Sequence, residues 1–429
     1  MSTEKVSAEA VKADATPDSE IRLKMQWRDP IATTVMAVLT VLIAFTTRGT
    51  AMVSWAGATS WFDIPATAVP SGPVTWIMAL IAVGVTAYVW YLAVNRKNIN
   101  GWLLVAVAVP FVISFLLSTV AGKGAHLPAV SLLTGALAFA TPLVFGALSG
   151  VVNERSGIIN IAIEGQLLFG AFMGAVVASI AGNAYVGLIG APIAGALVGA
   201  LLALFTINFR TDHIIVGVVL NMLVLGLTSF LFSTVLKHNP EGLNSINRLP
   251  DLKIPFLSDI PVIGPILFNQ TILVYIMFVT VIVLQFMVFN SRWGLRMRAC
   301  GEHPRAADTV GIKVNRTRWM NVLLGGALAG LGGAFFTIGQ GLAFSKDMAA
   351  GNGFIALAAM ILGRWNPKGA FGAALLFGFA TNLGATMQAV GSSVPSEFLL
   401  MIPYIITILA VAGFVGSVRA PAAEGKPYP

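Results

Sequence analysis

Long apolar stretches recur along the chain, at 31–47, 74–94, 102–121, 128–150, 158–181, 184–207, 214–236, 271–290, 319–341, 369–391 and 397–417. A hydrocarbon core of about 30 Å takes about 20 helical residues to cross, and these stretches are near that length. Period-two alternation is absent. Lipid tolerates no unpaired backbone groups, so segments this long predict helices rather than a barrel. The expected fold class is all-α, a polytopic membrane protein of about 10–12 spans. A further stretch, 353–363, is too short to span alone and reads as half of a broken helix.

Composition agrees with this pattern. Hydrophobic residues make up 57% of the 429 and charged residues 10%, against roughly 25% charged in soluble domains. The single cysteine, Cys300, excludes an intrachain disulfide and a multi-cysteine metal cluster. The four histidines are scattered, and no phosphate-binding G-x-x-x-x-G-K-[ST] run occurs, so neither metal nor cofactor is expected and the chain brings no ATPase site of its own. Residues 1–29 hold five basic and six acidic side chains and no apolar run, which predicts a disordered tail rather than a signal peptide.

The net charge of +8 is a topology signal rather than a nucleic-acid footprint. If every stretch crosses once, 20 of the 26 Lys/Arg fall on one side, together with both termini. The positive-inside rule makes that side the cytoplasm, including a short tail at 418–429. Two connections are long. The outer one, 237–270, balances three basic against three acidic residues and reads equally as an ordered cap or a linker. The inner one, 291–318, holds seven basic and two acidic residues. The stretches within 30–121 form an accessory block, and 122–417 the core.

The core carries a weak repeat. Gly146-Ala-Leu-Ser-Gly150 is echoed by Gly326-Ala-Leu-Ala-Gly330, Gly157-Ile-Ile-Asn-Ile-Ala162 by Gly353-Phe-Ile-Ala-Leu-Ala358, and Gly170-Ala-Phe-Met-Gly174 by Gly369-Ala-Phe-Gly372. The first set begins on an inward-running helix and the second on an outward-running one, the pattern of an inverted repeat with a path at its interface. Close packing of helices through Gly146/Gly150, Gly195/Gly199 and Gly326/Gly330 explains the same residues without a repeat.

Glu164 is the one carboxylate deep in an apolar stretch, where burying charge costs several kcal/mol. It reads as path lining or, preferably, as a gating or structural group. Asn160 lies one turn before it and Gln166 nearby, and Gly157 and Gly165 suggest a break in this helix. Asn221, Asn321 and Asn382 add neutral amides, which suit an uncharged hydrogen-bonding solute or else interhelical bonds. Phe335 can stack on a planar solute or simply pack. The candidate path residues are Asn160, Glu164, Gln166, Asn221, Phe335 and Asn382.

In the inner loop, Pro304 suits a first helical turn and Gly311 its end, predicting a two-turn helix in which Ala306 and Ala307 form a slim face bracketed by Arg305 and Asp308. Docking into a partner's cleft is one reading, and a basic loop on lipid headgroups the other.

Gly301-Glu302-His303-Pro304-Arg305-Ala306-Ala307-Asp308 with Val310-Gly311-Ile312 resembles the coupling loop of bacterial ABC importer permeases, in the branch that handles branched-chain amino acids, simple sugars and nucleosides. Asn153-Glu154-Arg155-Ser156-Gly157 through Glu164-Gly165, Gly353 through Ala359, and Gly363-Arg364-Trp365-Asn366-Pro367 are similar to the nucleoside-type members. The resemblance covers about 128–417. It implies a bacterial inner-membrane subunit that forms half of a pathway for a small polar solute, expected to be a nucleoside. A separate cytoplasmic ATPase would dock on Glu302, Pro304, Arg305, Ala306, Asp308 and Gly311. A second permease, usually a different chain, and an extracellular binding protein would complete the importer. A sugar importer, an ion-gradient transporter and an intramembrane enzyme are the alternatives. Only Glu164 serves the ion-gradient transporter, and no catalytic constellation at membrane depth serves the enzyme.

Overall fold

The computed structural model describes residues 27–55, 64–390, 395, 397, 398, 401 and 419–428. Residues 1–26 of the tail expected over 1–29 and nearly all of the span at 397–417 lie outside them, and residues 28 and 29 of that tail already belong to a helix. Ten helices among the described residues are long and apolar enough to cross a membrane. The chain forms two compact units, residues 1–50 with 70–122, and residues 51–69 with 123–429.

The first unit packs α1 (Arg28–Thr46), α2 (Ser71–Val94) and α3 (Trp102–Val120) against one another. Its inward positions are small or hydroxylic: Thr33, Ala37, Thr40 and Ala44 on α1, and Thr75, Ala79, Ala82 and Thr86 on α2. Large apolar side chains such as Leu42, Phe45, Ile77 and Leu80 point outward. Lipid tails solvate leucine as well as a protein core does, so close backbone approach rather than hydrophobic burial holds such helices together. The buried Thr86 hydroxyl donates to the Thr33 carbonyl at 3.3 Å, and the Trp90 indole donates to the Thr34 hydroxyl at 2.9 Å.

Short strands β1 (Thr50–Ser54), β2 (Thr67–Pro70) and β3 (His126–Pro128), in the second unit but for Thr50 and Pro70, form a small sheet, β1 pairing parallel to β3. The helical core follows with α4 (Ala129–Glu154), α5 (Ile163–Ala181), α6 (Ala184–Ala203) and α7 (His213–Leu231). Next come the short α8 (Pro240–Leu243), strands β4 (Asp251–Lys253) and β5 (Asn269–Thr271), and α9 (Ile272–Asn290). The chain continues through α10 (Arg292–Glu302), α11 (Pro304–Thr309), α12 (Val314–Gly333), α13 (Asn352–Leu362) and α14 (Pro367–Ala389). α12 runs on as a π-helical turn over Phe335–Gly339.

α4 and α12 are antiparallel. Ser156 meets Arg318, Asn153 lies against Gly325, and Pro142 and Phe145 lie against Gly332. Their partners are exchanged. α12 packs on α5 and α6, whereas α4 packs on α13 and α14. Glycines set both contacts. A Cβ on Gly195 would sit 2.1 Å from the Gly326 carbonyl oxygen, and one on Gly150 only 2.5 Å from Met360 Sδ. The glycine pairs of α6 and α12 thus meet each other, as close helix packing requires.

The 237–270 connection is an ordered cap. β4 and β5 pair antiparallel, and the Leu249 amide donates to the Ile338 carbonyl at 2.9 Å. The Asn244 side chain both donates to the Phe344 carbonyl (3.0 Å) and accepts from its amide (2.7 Å). Two elements differ from expectation. The stretch read as one span from 158 becomes helical only at Ile163, and the inner loop contains α10 as a helix separate from α11. α11 itself is six residues long.

Candidate functional site

Between α4 and α5 the backbone is irregular from 155 to 162, and side chains from other helices take up its polar groups. The His213 ring accepts from the Ile159 amide at 3.3 Å. Asn221 on α7 donates to the Ile161 carbonyl (2.9 Å) and accepts from the Gly165 amide (2.8 Å). That satisfaction makes a break in a membrane helix tolerable. The buried Asn160 amide donates to the Ser149 hydroxyl (3.1 Å) and to Gln166 Oε1 (3.0 Å).

Glu164 points from the first turn of α5 to the start of α13. Its Oε1 accepts from the Gly351 amide at 2.7 Å and its Oε2 from the Gly353 amide at 2.6 Å. The carboxylate therefore caps the positive end of α13, whose 11 residues reach only about half of the hydrocarbon thickness. Gly351 has φ +83°, and a Cβ on Gly353 would lie 2.5 Å from the Glu164 amide nitrogen, so this cap needs both glycines.

Asn160, Glu164, Gln166 and Asn221 thus gather around the irregular segment. Phe335 is buried edge-on to Phe139 and Phe336. Asn382 is buried on α14 and donates to the Leu132 carbonyl at 2.7 Å. These two stand apart from the other four. Four deep amides stand out here. Both side-chain polar atoms of Asn153 and of Asn321 are buried without a hydrogen-bond partner, as are Asn160 Oδ1 and Gln166 Nε2.

Where α9 finishes, Ser291 in extended backbone breaks the helix and α10 begins. Ser291 caps it by accepting from the Gly294 amide at 3.1 Å. Its inner stripe of Gly294, Met297, Cys300 and Gly301 is buried. A Cβ on Gly301 would fall 2.3 Å from the Arg155 carbonyl oxygen, so α10 rests directly on the turn after α4. On α11, Arg305, Ala306 and Asp308 are exposed, as is Glu302 before it. Ala307 is instead buried against Cys300 and Val314. The outward face is therefore Ala306 with its two charged flanks, not the Ala306–Ala307 pair. Pro304 opens α11, and Gly311 (φ +83°) turns the chain into α12.

Residues 419–428 close over this corner. The Ala423 amide donates to the Gly301 carbonyl (2.9 Å), the Gly425 amide to the Gly157 carbonyl (3.1 Å) and the Ala422 amide to Glu302 Oε2 (3.2 Å). Tyr428 packs on the Cys300–Val314 cluster, and its hydroxyl donates to Asp308, which pushes the phenol above its usual range. Burial pushes the Cys300 thiol up, and burial also pushes Glu424 up, against a hydrogen bond with Glu154 that pulls it down. Glu154 also accepts from the Trp365 indole at 2.6 Å, and the Arg155 guanidinium donates to the Trp365 carbonyl. The chain after α13 is thereby tied to the same corner. Glu154 and Trp365 stand inside the motifs quoted above without a role of their own, and Arg318 and Glu424 are not among the candidate residues. A signal for Arg318 exists, since Val314, Arg318, Asn321 and Gly325 share one helical stripe.

The family described as the branched-chain amino acid transport system / permease component matches residues 132–411. The guanosine ABC transporter permease protein NupQ of Bacillus subtilis is 40% identical over 305 residues, covering 68% of this chain and 94% of that protein. The nucleoside ABC transporter permease protein NupC of Lactococcus lactis is 40% identical over 301 residues, again 68% of this chain and 94% of that protein. The guanosine ABC transporter permease protein NupP of Bacillus subtilis is 29% identical over 281 residues, covering 64% and 79%. No solved structure matches the chain.

Proposed function

The chain belongs to the branched-chain amino acid transport system / permease component family, and from that premise we propose that it is the membrane subunit of an ATP-driven importer whose solute is a nucleoside. The observation that carries the reading is α11. A short helix stands exposed on a buried support, with Arg305 and Asp308 flanking Ala306, at the corner where α4, α10 and α12 meet. Such a helix can receive a push from a cytoplasmic ATPase and pass it to the irregular 155–162 segment through Gly301. The energy is the ATPase's, and this chain supplies path and linkage.

The α11 end faces the cytoplasm of a bacterial inner membrane, as the surplus of Lys/Arg there favours. The ordered 237–270 cap then meets an extracellular binding protein. The exchanged packing of α4 with α13 and α14, and of α12 with α5 and α6, supports an inverted repeat. Its interface contains Asn160, Gln166, Asn153 and Asn321, neutral amides suited to an uncharged heterocyclic solute. Two different permease proteins of Bacillus subtilis match this chain, which favours pairing with a second, related subunit.

Uptake of labelled guanosine, other nucleosides and glucose into proteoliposomes holding the permease pair, ATPase and binding protein tests the reading. ATP-dependent nucleoside uptake is expected. Uptake on a proton gradient without ATP would overturn the importer, and glucose uptake alone would overturn the solute. The double substitution Arg305→Ala/Asp308→Ala should leave insertion intact and uncouple ATP hydrolysis from uptake.

A further inference from the structure

Beside the α10–α11 corner is a cleft of about 850 Å³, between the outer face of α10 and the first turns of α12. Arg292, Arg296, Lys313 and Arg316 line it, and no carboxylate does. All four are exposed, and none makes an ion pair among the described residues. Four uncompensated cations around one concavity repel one another, so the cleft is electrostatically primed for an anion.

The rest of the lining says which anion. α9 ends at Asn290 and α12 begins at Val314, so the cleft lies level with the ends of two spans. Along α12 the lining passes from Lys313 and Arg316 to Met320, which is 55% exposed one turn further into the span. On α10, Leu295 is 62% exposed beside Arg296, and Trp293 joins the lining. A phosphate with an apolar chain attached matches this lining, with cations at the span ends and the apolar Met320 one turn deeper. A free phosphate would use only the upper half. Of the proposed ATPase contacts only Gly311 lines the cleft; Glu302, Pro304, Arg305, Ala306 and Asp308 do not.

We propose that this cleft binds the phosphate headgroup of an anionic phospholipid, bracing α10 against α12 at the membrane surface. Nothing in the proposal depends on which solute crosses.

The test uses the full-length chain in phosphatidylcholine nanodiscs with spin-labelled phosphatidylglycerol or spin-labelled phosphatidylcholine. The motionally restricted fraction gives their relative affinities. Phosphatidylglycerol should be favoured by about tenfold or more, because four cations at the surface each attract its charged headgroup. In R292Q/R296Q/K313Q/R316Q the preference should fall to near parity, whereas R248Q/K253Q/K346Q, which removes cations elsewhere, should keep it. If the quadruple variant does not fold, R292Q/R296Q and K313Q/R316Q should each lower the preference several-fold. Equal affinities in the unaltered chain, or a preference that survives these substitutions, would overturn the proposal. Displacement by millimolar inorganic phosphate would make it a free-anion site, and displacement by the ATPase a protein contact; either also overturns it.

Discussion

Arg318 and Ser156, 162 residues apart, are joined by a buried hydrogen bond of 3.1 Å from the guanidinium Nε to the backbone carbonyl. The same guanidinium donates through Nη1 to the Lys426 carbonyl at 3.1 Å. One side chain on α12 therefore holds both the turn after α4 and the last described segment. Gly157 makes room for it, since a Cβ there would lie 2.6 Å from Nη2. Cys300, the chain's single cysteine, is fully buried behind this clasp.

Removing the clasp should expose Cys300. Arg318→Ala, or a chain lacking 419–429, should raise its maleimide labelling rate by about tenfold or more, because hydrogen bonds to a charged group are worth about 1.5–3 kcal/mol each. The baseline rate should be slow, since burial disfavours the thiolate. An unchanged rate in both variants would show that the segment does not cover the thiol.

The clasp should also respond to pH. Docking raises the Glu424 carboxyl above its value in a free tail, chiefly through burial. A raised carboxyl contributes stability below its free-tail pKa and loses it as pH rises through the docked one. Amide exchange across 422–426, corrected for intrinsic rates, should therefore speed up as pH climbs above the ordinary carboxylate range. Glu424→Gln should flatten that dependence, and a slope surviving in this variant would point to another group.

Glu164 holds α13 by two short bonds. Glu164→Ala should lower stability by roughly 2–4 kcal/mol, the cost of two orphaned donors near a helix end. Glu164→Gln, which keeps an acceptor, should lose less. Thermal unfolding in detergent reads both, and equal midpoints for the two variants would remove the capping role.

Gly195→Ala should cost about 1–3 kcal/mol by forcing α6 from α12, because its Cβ would meet the Gly326 carbonyl oxygen at 2.1 Å. Gly226→Ala, with nothing within 4 Å of the added carbon, is the control and should be neutral. Comparable yields of monodisperse protein for both would argue against a backbone contact there.

Ten of the eleven expected spans are found among the described residues, because lipid imposes one requirement on every residue of a crossing, and that requirement survives without knowledge of neighbours. α10 was not legible as a helix. Arg292, Arg296 and Arg298 dominate its composition, and its buried stripe depends on the Arg155 turn that lies against Gly301. Ala307 shows the same limit. Composition marked it as small, but only the Cys300–Val314 cluster says that it faces inward. The break before α5 was suggested by Gly157 and Gly165, whereas its extent to 162 follows from His213 and Asn221 on α7.

From the sequence alone came an all-α membrane protein, its spans, the short α13, the α11 helix and the resemblance to importer permeases. Hydrophobic length and local glycine and proline chemistry are properties of neighbouring residues, so they can be read along the chain. Tertiary structure alone decided that Glu164 caps α13, that α4 and α12 exchange partners, and that Arg318 and Glu424 close the corner beneath α11. Those contacts join residues more than 100 positions apart, and a buried polar group takes whichever partner the packing brings within hydrogen-bonding distance.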